Sequence, residues 1–200
     1  MEKLFEGQFP FDGQDRMVLQ KVVDGHNEEE MARECLPFHL LTSVQREVLQ
    51  SIAYGQSDKE IAMTYHKSSG TIRTLWLSLG RIGMPFRYKS DSQVNSHSAI
   101  LALIVDGINY GYLKTKLPES VQELSLAENE VFELRLQGLA HPEIAIKRQV
   151  SLADVGQLSS NAIHKLMGNN FFHAAAIATY LKLHGKWSVC SGKGGKIINL

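Results

Sequence analysis

The stretch "EIAMTYHKSSGTIRTL" at residues 60–75 decides the fold, because it contains two short helices separated by a break. Ile61 stands where the buried face of the first helix belongs. A Ser-Ser-Gly sequence that begins at Ser68 interrupts this helix, and Thr71 begins the apolar pattern of the next one. Two short helices joined by a few residues above a third helix form a helix-turn-helix. The second helix of such a unit is the one that can enter the major groove of DNA.

The third helix is predicted just upstream, in the sequence "SVQREVLQSIAYG" at 43–55. Thr42 stands at its N-cap position, and Gly55 stands at its C-terminal end, where the chain needs a left-handed turn. The apolar residues of this helix recur at the spacing of one buried face: Val44, Val48, Leu49 and Ile52. Three helices are therefore predicted between residues 42 and 83.

The same pattern returns 83 residues later in the chain. The Glu-Ile-Ala sequence at 60–62 recurs at 143–145, without insertion or deletion between the landmarks. Three further pairs of residues keep this spacing: Thr42 and Ser125, Gly55 and Gly138, and Ser68 and Ser151. A repeat of this kind indicates two copies of one structural unit.

Both copies resemble the DNA-binding domain of the LuxR/FixJ family of bacterial transcription regulators. The matching sequences are "LTSVQREVLQSIAYGQSDKEIA" (41–62) with "SSGTIR" (68–73), and "LSLAENEVFELRLQGLAHPEIA" (124–145) with "VSLADV" (150–155). The resemblance implies an all-α fold, namely two tandem four-helix LuxR-like helix-turn-helix domains with a short acidic helical N-terminal segment. It implies a fourth helix twice, at 96–107 and 170–185. Two copies in one chain depart from the usual plan of the family.

The predicted boundaries divide the chain into five parts. They are an acidic helical segment (1–40), the first helix-turn-helix domain (41–107), a linker (108–123), the second helix-turn-helix domain (124–185) and a basic flexible tail (186–200). The first part carries nine acidic and four basic side chains, and it contains two predicted short helices, the second capped by Asn27. We expect this part to dock on the first copy or to contact a partner.

In the first copy, the residues around the break are suited to DNA. Hydroxyl groups and backbone N–H groups at a helix N-terminus are natural contacts for phosphate. Arg73 and Thr74 lie one turn further along, toward base edges, and Lys59 can bind the flanking phosphates. The predicted DNA-binding residues of this copy are Lys59, Ser68, Ser69, Thr71, Arg73 and Thr74.

The second copy departs from the family pattern where the reading helix begins. Asp154 stands where the family has Thr, and Gly156 stands where it has a cation. An acidic residue repels phosphates, and a Gly inside a helix costs about 1 kcal/mol relative to Ala. We therefore expect this copy to keep its fold while its DNA-reading surface is reduced or has another use. The predicted DNA contacts here are Ser151, Gln157 and Lys165.

The composition is that of a globular chain, with 200 residues, 44% hydrophobic residues and zero net charge. The sequence shows no secretory signal and no apolar run long enough to span a membrane, and Cys35 and Cys190 suit a reducing cytosol. The eight histidines show no metal-ligand spacing, and neither a catalytic constellation nor a cofactor loop is present. We therefore expect a protein that is not an enzyme and that has no cofactor, metal or membrane partner.

The resulting hypothesis is a DNA-binding transcription regulator of the bacterial cytoplasm, associated with the nucleoid. Its partner is double-stranded DNA, and the fourth helices form a homodimer or an intramolecular pseudo-dimer. The alternative is a protein-interaction module on the same scaffold that binds RNA polymerase or another regulator. Zero net charge and Gly156 favour the alternative, whereas Lys59, Thr71 and Arg73 favour DNA. A promoter binder similar to sigma-factor region 4 ranks behind both.

Overall fold

A computed structural model describes residues 38, 40–87, 96–190 and 196–200. These residues form eight α-helices and four short β-strands, so that the expectation of a mainly helical chain is confirmed. The acidic segment predicted at 1–40 lies outside the described residues, except for Phe38 and Leu40. In the described part of the chain, no helix combines the length and the apolar character needed to cross a lipid bilayer.

The helix boundaries repeat along the chain. The first four helices are α1 (Ser43–Ala53), α2 (Asp58–Thr64), α3 (Ser69–Arg87) and α4 (Ser96–Asn109). The second four are α5 (Leu126–Leu136), α6 (His141–Arg148), α7 (Leu152–Lys165) and α8 (Phe171–Leu183). Helices α5, α6 and α7 each begin 83 residues after α1, α2 and α3, as the sequence repeat predicts.

Local caps explain why the helices begin at these residues. Thr42 Oγ1 accepts a hydrogen bond from the Gln45 N–H at 3.2 Å, and Gln45 Oε1 accepts one from the Thr42 N–H at 2.8 Å. Ser125 and Glu128 form the same reciprocal pair before α5, at 3.3 and 2.7 Å. Each pair satisfies two N–H groups that the start of a helix leaves without intrahelical partners.

The two copies differ after Gly83. The sequence predicts a loop over 84–95, but α3 continues to Arg87. Gly83 does not end the helix; it allows α4 to approach, since a Cβ at this position would lie 2.8 Å from the Ala99 carbonyl oxygen. Helix α4 begins 75 residues before α8. The 83-residue repeat therefore does not extend to the fourth helices.

Helix α8 lies at the centre of the molecule. Every residue from 172 to 179 is buried, so that the helix lacks the solvent-facing stripe of an ordinary surface helix. Ala175 and Ala176 belong to the hydrophobic core of the first copy, whereas Ile177 and Ala178 belong to that of the second. The alanines are small enough for α4 to pack closely against α8. The two copies therefore share one central helix.

The short strands connect residues 189–190 and 197–199 with residues 120–125, at the junction of the linker and the second copy. Strand β1 (Ser120–Gln122) pairs antiparallel with β4 (Ile197–Asn199), and β2 (Leu124–Ser125) pairs in parallel with β3 (Val189–Cys190). The predicted linker at 108–123 therefore contains strand β1, and the prediction of a flexible tail is wrong for the tail residues in β3 and β4.

Apolar side chains and one carboxylate account for the pairing. Val121 and Leu124 are buried in the core of the second copy, and Ile198 and Leu200 pack against the same core. The Glu123 carboxylate accepts hydrogen bonds from the Ser188 hydroxyl at 2.6 Å and from the Lys196 N–H at 3.0 Å. Strands of two or three residues are too short for an alternating pattern to reveal them in the sequence.

Candidate nucleic-acid interface

Helix α2 is fixed at its N-terminus by Ser57 and Glu60. The Glu60 carboxylate accepts hydrogen bonds from the Ser57 N–H at 2.6 Å and from the Ser57 hydroxyl at 2.7 Å. These bonds hold the pKa of Glu60 below its usual value. Ile61 and Ala62 are buried, whereas Lys59 is exposed. In the Glu-Ile-Ala sequence, the acid caps the helix and the two apolar residues anchor it.

The turn between α2 and α3 contains a residue in the left-handed region. His66 has a φ of +48°, and the Lys67 N–H reaches back to the Ala62 carbonyl at 2.9 Å. Gln149 has the same role in the second copy, with a φ of +55°. The side chains of His66 and Lys67 are exposed, so that the turn presents an imidazole and an ammonium to solvent directly before α3.

Ser68 caps α3 and leaves two donors of this helix available. Ser68 Oγ accepts a hydrogen bond from the Thr71 N–H at 3.1 Å and lies 3.0 Å from Thr71 Oγ1. Within the described chain, the N–H groups of Ser69 and Gly70 have no hydrogen-bond partner. These donors and the partial positive charge of the helix end are suited to a phosphate oxygen.

Helix α3 has one buried and one exposed face. Ile72 and Leu79 are fully buried, and Leu75 and Trp76 are half-buried against the same core. Thr74 lies on the outer face and donates a hydrogen bond to the Gly70 carbonyl at 3.0 Å. The exposed side chains of the outer face are Arg73, Thr74, Leu77 and Arg81.

Four exposed cations lie on α2, in the turn and on α3, and no ion pair involves any of them in the described residues. They are Lys59, Lys67, Arg73 and Arg81. Lys59 and Lys67 line an open depression together with His66, Ser68 and Ser69. Although the whole chain has zero net charge, the outer surface of the first copy is therefore locally basic.

The sequence-based prediction does not include Lys67 and Arg81. Arg81 follows Arg73 by eight residues, which is about two helical turns, so that both lie on one face. The sequence already contains this spacing, because Arg81 lies before Gly83, within the predicted helix. Lys67 lies in the turn, where the period of the apolar residues does not define the direction of a side chain.

The start of α7 has the same serine cap, but a carboxylate is added to it. The Asp154 carboxylate accepts hydrogen bonds from the Ser151 hydroxyl at 2.6 Å and from the Ser151 N–H at 3.2 Å. Ser151 Oγ in turn accepts one from the Asp154 N–H at 3.1 Å. Asp154 is a capping residue, and its negative charge lies at the helix N-terminus, where a phosphate would otherwise be favoured. Ser151, a predicted DNA contact, is part of this cap.

The outer surface of the second copy is apolar where that of the first copy is basic. Gly156 replaces Arg73, and no atom lies within 4 Å of a Cβ added at this glycine. Gln157, a predicted DNA contact, is exposed and donates a hydrogen bond to Asn161 Oδ1 at 2.7 Å. Three exposed apolar side chains lie at the end of α6, in the turn and at the start of α7: Ile146, Val150 and Leu152.

Lys165, the remaining predicted contact, lies in an ion pair. Its Nζ is 2.7 Å from Oε2 of Glu128, a residue that is only 5% exposed. Burial opposes ionisation of Glu128, but hydrogen bonds from Lys165 and Ser125 outweigh this effect and hold the pKa below its usual value. The structure therefore places Lys165 beside a buried carboxylate of the second copy rather than on an open DNA-facing surface.

Comparison with family models, curated proteins and solved structures finds no match for this chain. The described residues also contain no group of three or more histidine, cysteine or acidic side chains that could hold a metal ion.

Proposed function

We propose that this protein is a sequence-specific DNA-binding transcription regulator in which α3 of the first copy enters the major groove. The observation that carries the proposal is the outer surface of α3. It combines a helix N-terminus with two unpartnered N–H groups and an exposed face with two unpaired arginines. The resemblance to tandem LuxR/FixJ-type domains leads to the same function.

Each group on this surface has a role in the proposal. The N–H groups of Ser69 and Gly70 bind a phosphate oxygen. Arg73 lies one turn further along and donates two hydrogen bonds to a guanine edge, which is the commonest specific contact in protein–DNA complexes. Lys59 and Lys67 bind the flanking phosphates. Since each phosphate contact releases counterions, the affinity decreases as salt is added.

The second copy has a supporting role in this proposal. Asp154 occupies the N-terminus of α7, and Gly156 removes the cation at the reading position, which leaves dimerisation or a weaker DNA contact for this copy. Contact between α4 and α8 within one chain favours an intramolecular pseudo-dimer. We place the protein in the bacterial cytoplasm, bound to the nucleoid.

The test is a selection of binding sites from random duplex DNA by the full-length protein, beside Arg73→Ala and Lys186→Ala. Both variants lose one positive charge, but Lys186 follows α8 and lies outside α2 and α3. We expect a consensus for the wild type and for Lys186→Ala that is lost in Arg73→Ala. If the folded wild-type protein enriches no sequence at low salt, the proposal is wrong.

The exposed apolar residues of the second copy support the alternative function, a module that binds RNA polymerase or another regulator. Ile146 is 80% exposed, and Val150 and Leu152 are exposed beside it in the sequence. Solvent-exposed apolar side chains that occur together mark protein contacts more often than isolated ones do. At the matching positions of the first copy, Lys67 and Ser69 are polar.

Binding of purified RNA polymerase to the full chain tests this alternative. We expect Ile146→Gln to weaken the complex at least about tenfold if the apolar surface forms the contact. Met63→Gln is the matched control, because Met63 stands 83 residues before Ile146 and is 68% exposed. Equal binding of the wild type and both variants would exclude this surface as the contact.

A further inference from the structure

A cavity of about 510 Å³ lies between the two copies. One wall comes from the start of α4, and the other walls come from the end of α5, the start of α6 and the start of α8. The side chains that determine its chemistry are His97, Arg135, His141, Asn170, Phe171 and Phe172. Its volume is in the range of small-molecule sites. Nothing in the proposed DNA-binding mechanism uses this cavity.

Arg135 is a largely buried cation without an acidic partner. Its guanidinium donates a hydrogen bond to the Ser159 hydroxyl at 2.5 Å and lies 3.5 Å from the centre of the Phe171 ring. No carboxylate among the described residues forms an ion pair with it. Burial lowers the pKa of Arg135 to about 10. The position 83 residues earlier is Ile52, which is fully buried, so that the fold itself does not require a charge here.

His141 lines the same cavity beside Arg135. Its Nε2 is buried and has no hydrogen-bond partner in the described structure. Burial lowers the pKa of His141, and the charge of Arg135 lowers it further. A buried polar atom without a partner costs free energy, as does a buried cation without a counter-charge. The cost of the uncompensated Arg135 cation disappears if a molecule with an anionic group occupies the cavity.

The walls define the remainder of such a molecule. Phe171 and Phe172 present aromatic rings, and Leu101 and Leu139 add aliphatic surface. A single guanidinium compensates one negative charge, which fits a carboxylate better than a polyphosphate. The ligand that satisfies these groups is a small organic acid with a flat apolar body.

We infer that the cavity between α4, α5, α6 and α8 is a binding site for a small aromatic or aliphatic carboxylic acid, with Arg135 on the carboxylate. The carboxylate replaces the water that a free guanidinium would need, and the apolar body lies against Phe171 and Phe172. Because His97 comes from the first copy and Arg135 from the second, the bound acid contacts both copies at once. Binding therefore stabilises their mutual arrangement as well as each wall.

Calorimetric titration and thermal unfolding of the full chain test this site with three acids as probes: benzoate, phenylacetate and indole-3-acetate. The corresponding neutral amides are the controls, since they have nearly the same shape without the charge. We expect at least one acid to bind at a single saturable site and to raise the unfolding midpoint with concentration, as mass action requires. The matching amide is expected to bind at least about tenfold more weakly.

Arg135→Met is the decisive variant, because Met keeps an unbranched apolar side chain and removes the charge. We expect it to raise the midpoint of the ligand-free protein, since a buried unpaired cation is lost, and to weaken acid binding at least about tenfold. Arg148→Met is the matched control: Arg148 also belongs to the second copy, but it is exposed and pairs with Glu130. It is expected to bind the acid as the wild type does.

A second variant keeps the inference testable if Arg135→Met does not fold. His97→Trp narrows the cavity from its exposed side and leaves Arg135 in place, and we expect it to weaken the same acid. The inference is overturned if no acid saturates the folded wild type below about 10 mM. It is also overturned if the acid binds Arg135→Met or His97→Trp with wild-type affinity.

Discussion

At the scale of single residues, His173 joins three parts of the chain. Its Nε2 lies 2.8 Å from the Lys116 carbonyl, which can only accept, so that Nε2 carries the hydrogen. Its Nδ1 accepts a hydrogen bond from the Asn169 N–H at 3.2 Å. The same ring lies against Gly55, at the end of α1. One neutral imidazole therefore connects the first copy, the connecting segment and α8.

Gly55→Ala tests this contact. Gly55 has a φ of +79°, and a Cβ there would lie 2.6 Å from His173 Nδ1, too close unless the ring moves. Gly185→Ala is the matched control, because its φ of +65° is similar but nothing lies within 4 Å of the added Cβ. We expect the control to lose about 1 kcal/mol of unfolding free energy and Gly55→Ala to lose clearly more. Equal losses in urea unfolding would mean that the His173 ring moves aside without a cost in unfolding free energy.

The environment of His173 also predicts a pH dependence. Burial lowers the pKa of His173 below its usual 6.5, the bond to the Lys116 carbonyl raises it, and the charge of Lys116 lowers it again. The unfolded state thus binds the proton more readily, and stability that is fully present above pH 6.5 decreases as the pH falls below it. His141, whose pKa is also lowered, acts in the same direction.

Urea unfolding at about pH 7.5 and about pH 5.5 measures this effect. We expect a lower unfolding free energy at the acidic pH, and a smaller difference in His173→Gln, which removes the titrating group. A wild-type protein with the same stability at both pH values would contradict the assignment of a neutral, buried imidazole.

At the scale of helices, the starts of α3 and α7 have the same serine cap but differ by one negative charge. Both begin with a serine cap, but the third residue of the helix is Thr71 in one and Asp154 in the other. The aspartate accepts a hydrogen bond from the N–H of the serine cap and adds a negative charge, whereas the threonine does neither. The cap with Asp154 favours helix stability, and the cap with Thr71 leaves room for an external anion.

Thr71→Asp should therefore increase the stability of the helix and decrease its affinity for DNA. We expect the variant to gain about 0.5–1 kcal/mol of unfolding free energy from the completed cap and to lose DNA affinity at least about tenfold. Thr71→Asn is the control for shape without charge. Urea unfolding and a DNA titration measure the two effects in one protein. A variant that binds DNA as well as the wild type would show that the start of α3 does not contact phosphate.

Prediction from the sequence succeeded where a structure is determined locally. The starts of α1 and α5 follow from the predicted caps at Thr42 and Ser125, whose partners lie three residues later in the chain, whereas α3 begins at Ser69 rather than at the predicted Thr71. The end of α3 depends on the contact between Gly83 and Ala99 of another helix, and no local pattern reveals it. The strands depend in the same way on residues about 70 positions apart, as for Glu123 and Lys196.

The same distinction applies to the two sites. Arg73 and Ser68 on the proposed DNA surface lie within one turn and the helix that follows it, so that the sequence alone indicates them. Arg135, in contrast, reads as an ordinary helix cation. Its burial arises only when α4, α5 and α8 meet. The cavity therefore had no sequence signal, apart from a cation at the position where the repeat has Ile52.

At the scale of the whole molecule, the shared helix α8 predicts that both copies unfold together. Trp76 packs against the core of the first copy and Trp187 against that of the second, so that each reports on one core. We expect coincident urea midpoints from Trp187→Phe and Trp76→Phe, measured by the fluorescence of the remaining tryptophan. Two separate transitions would show that the cores are independent.

Phe172→Ala provides a further check on this cooperativity. The Phe172 ring lies 5.2 Å from the Trp76 ring, although the two belong to different copies. Its removal is expected to cost about 3 kcal/mol. If α8 joins the cores, the loss lowers both tryptophan midpoints together rather than that of the first core alone, to which Phe172 belongs.

The central position of α8 also has a consequence for synthesis on the ribosome. Helices α1 to α4 are made first, yet Phe172, Ala175 and Ala176 complete their core. At about 5–20 residues per second, the codons for these residues are reached several seconds after α4 has been translated. During that interval the nascent first copy exposes the apolar surface that α8 later covers. A chaperone bound to this surface would hold a nascent chain that cannot complete its first core until α8 has been synthesised.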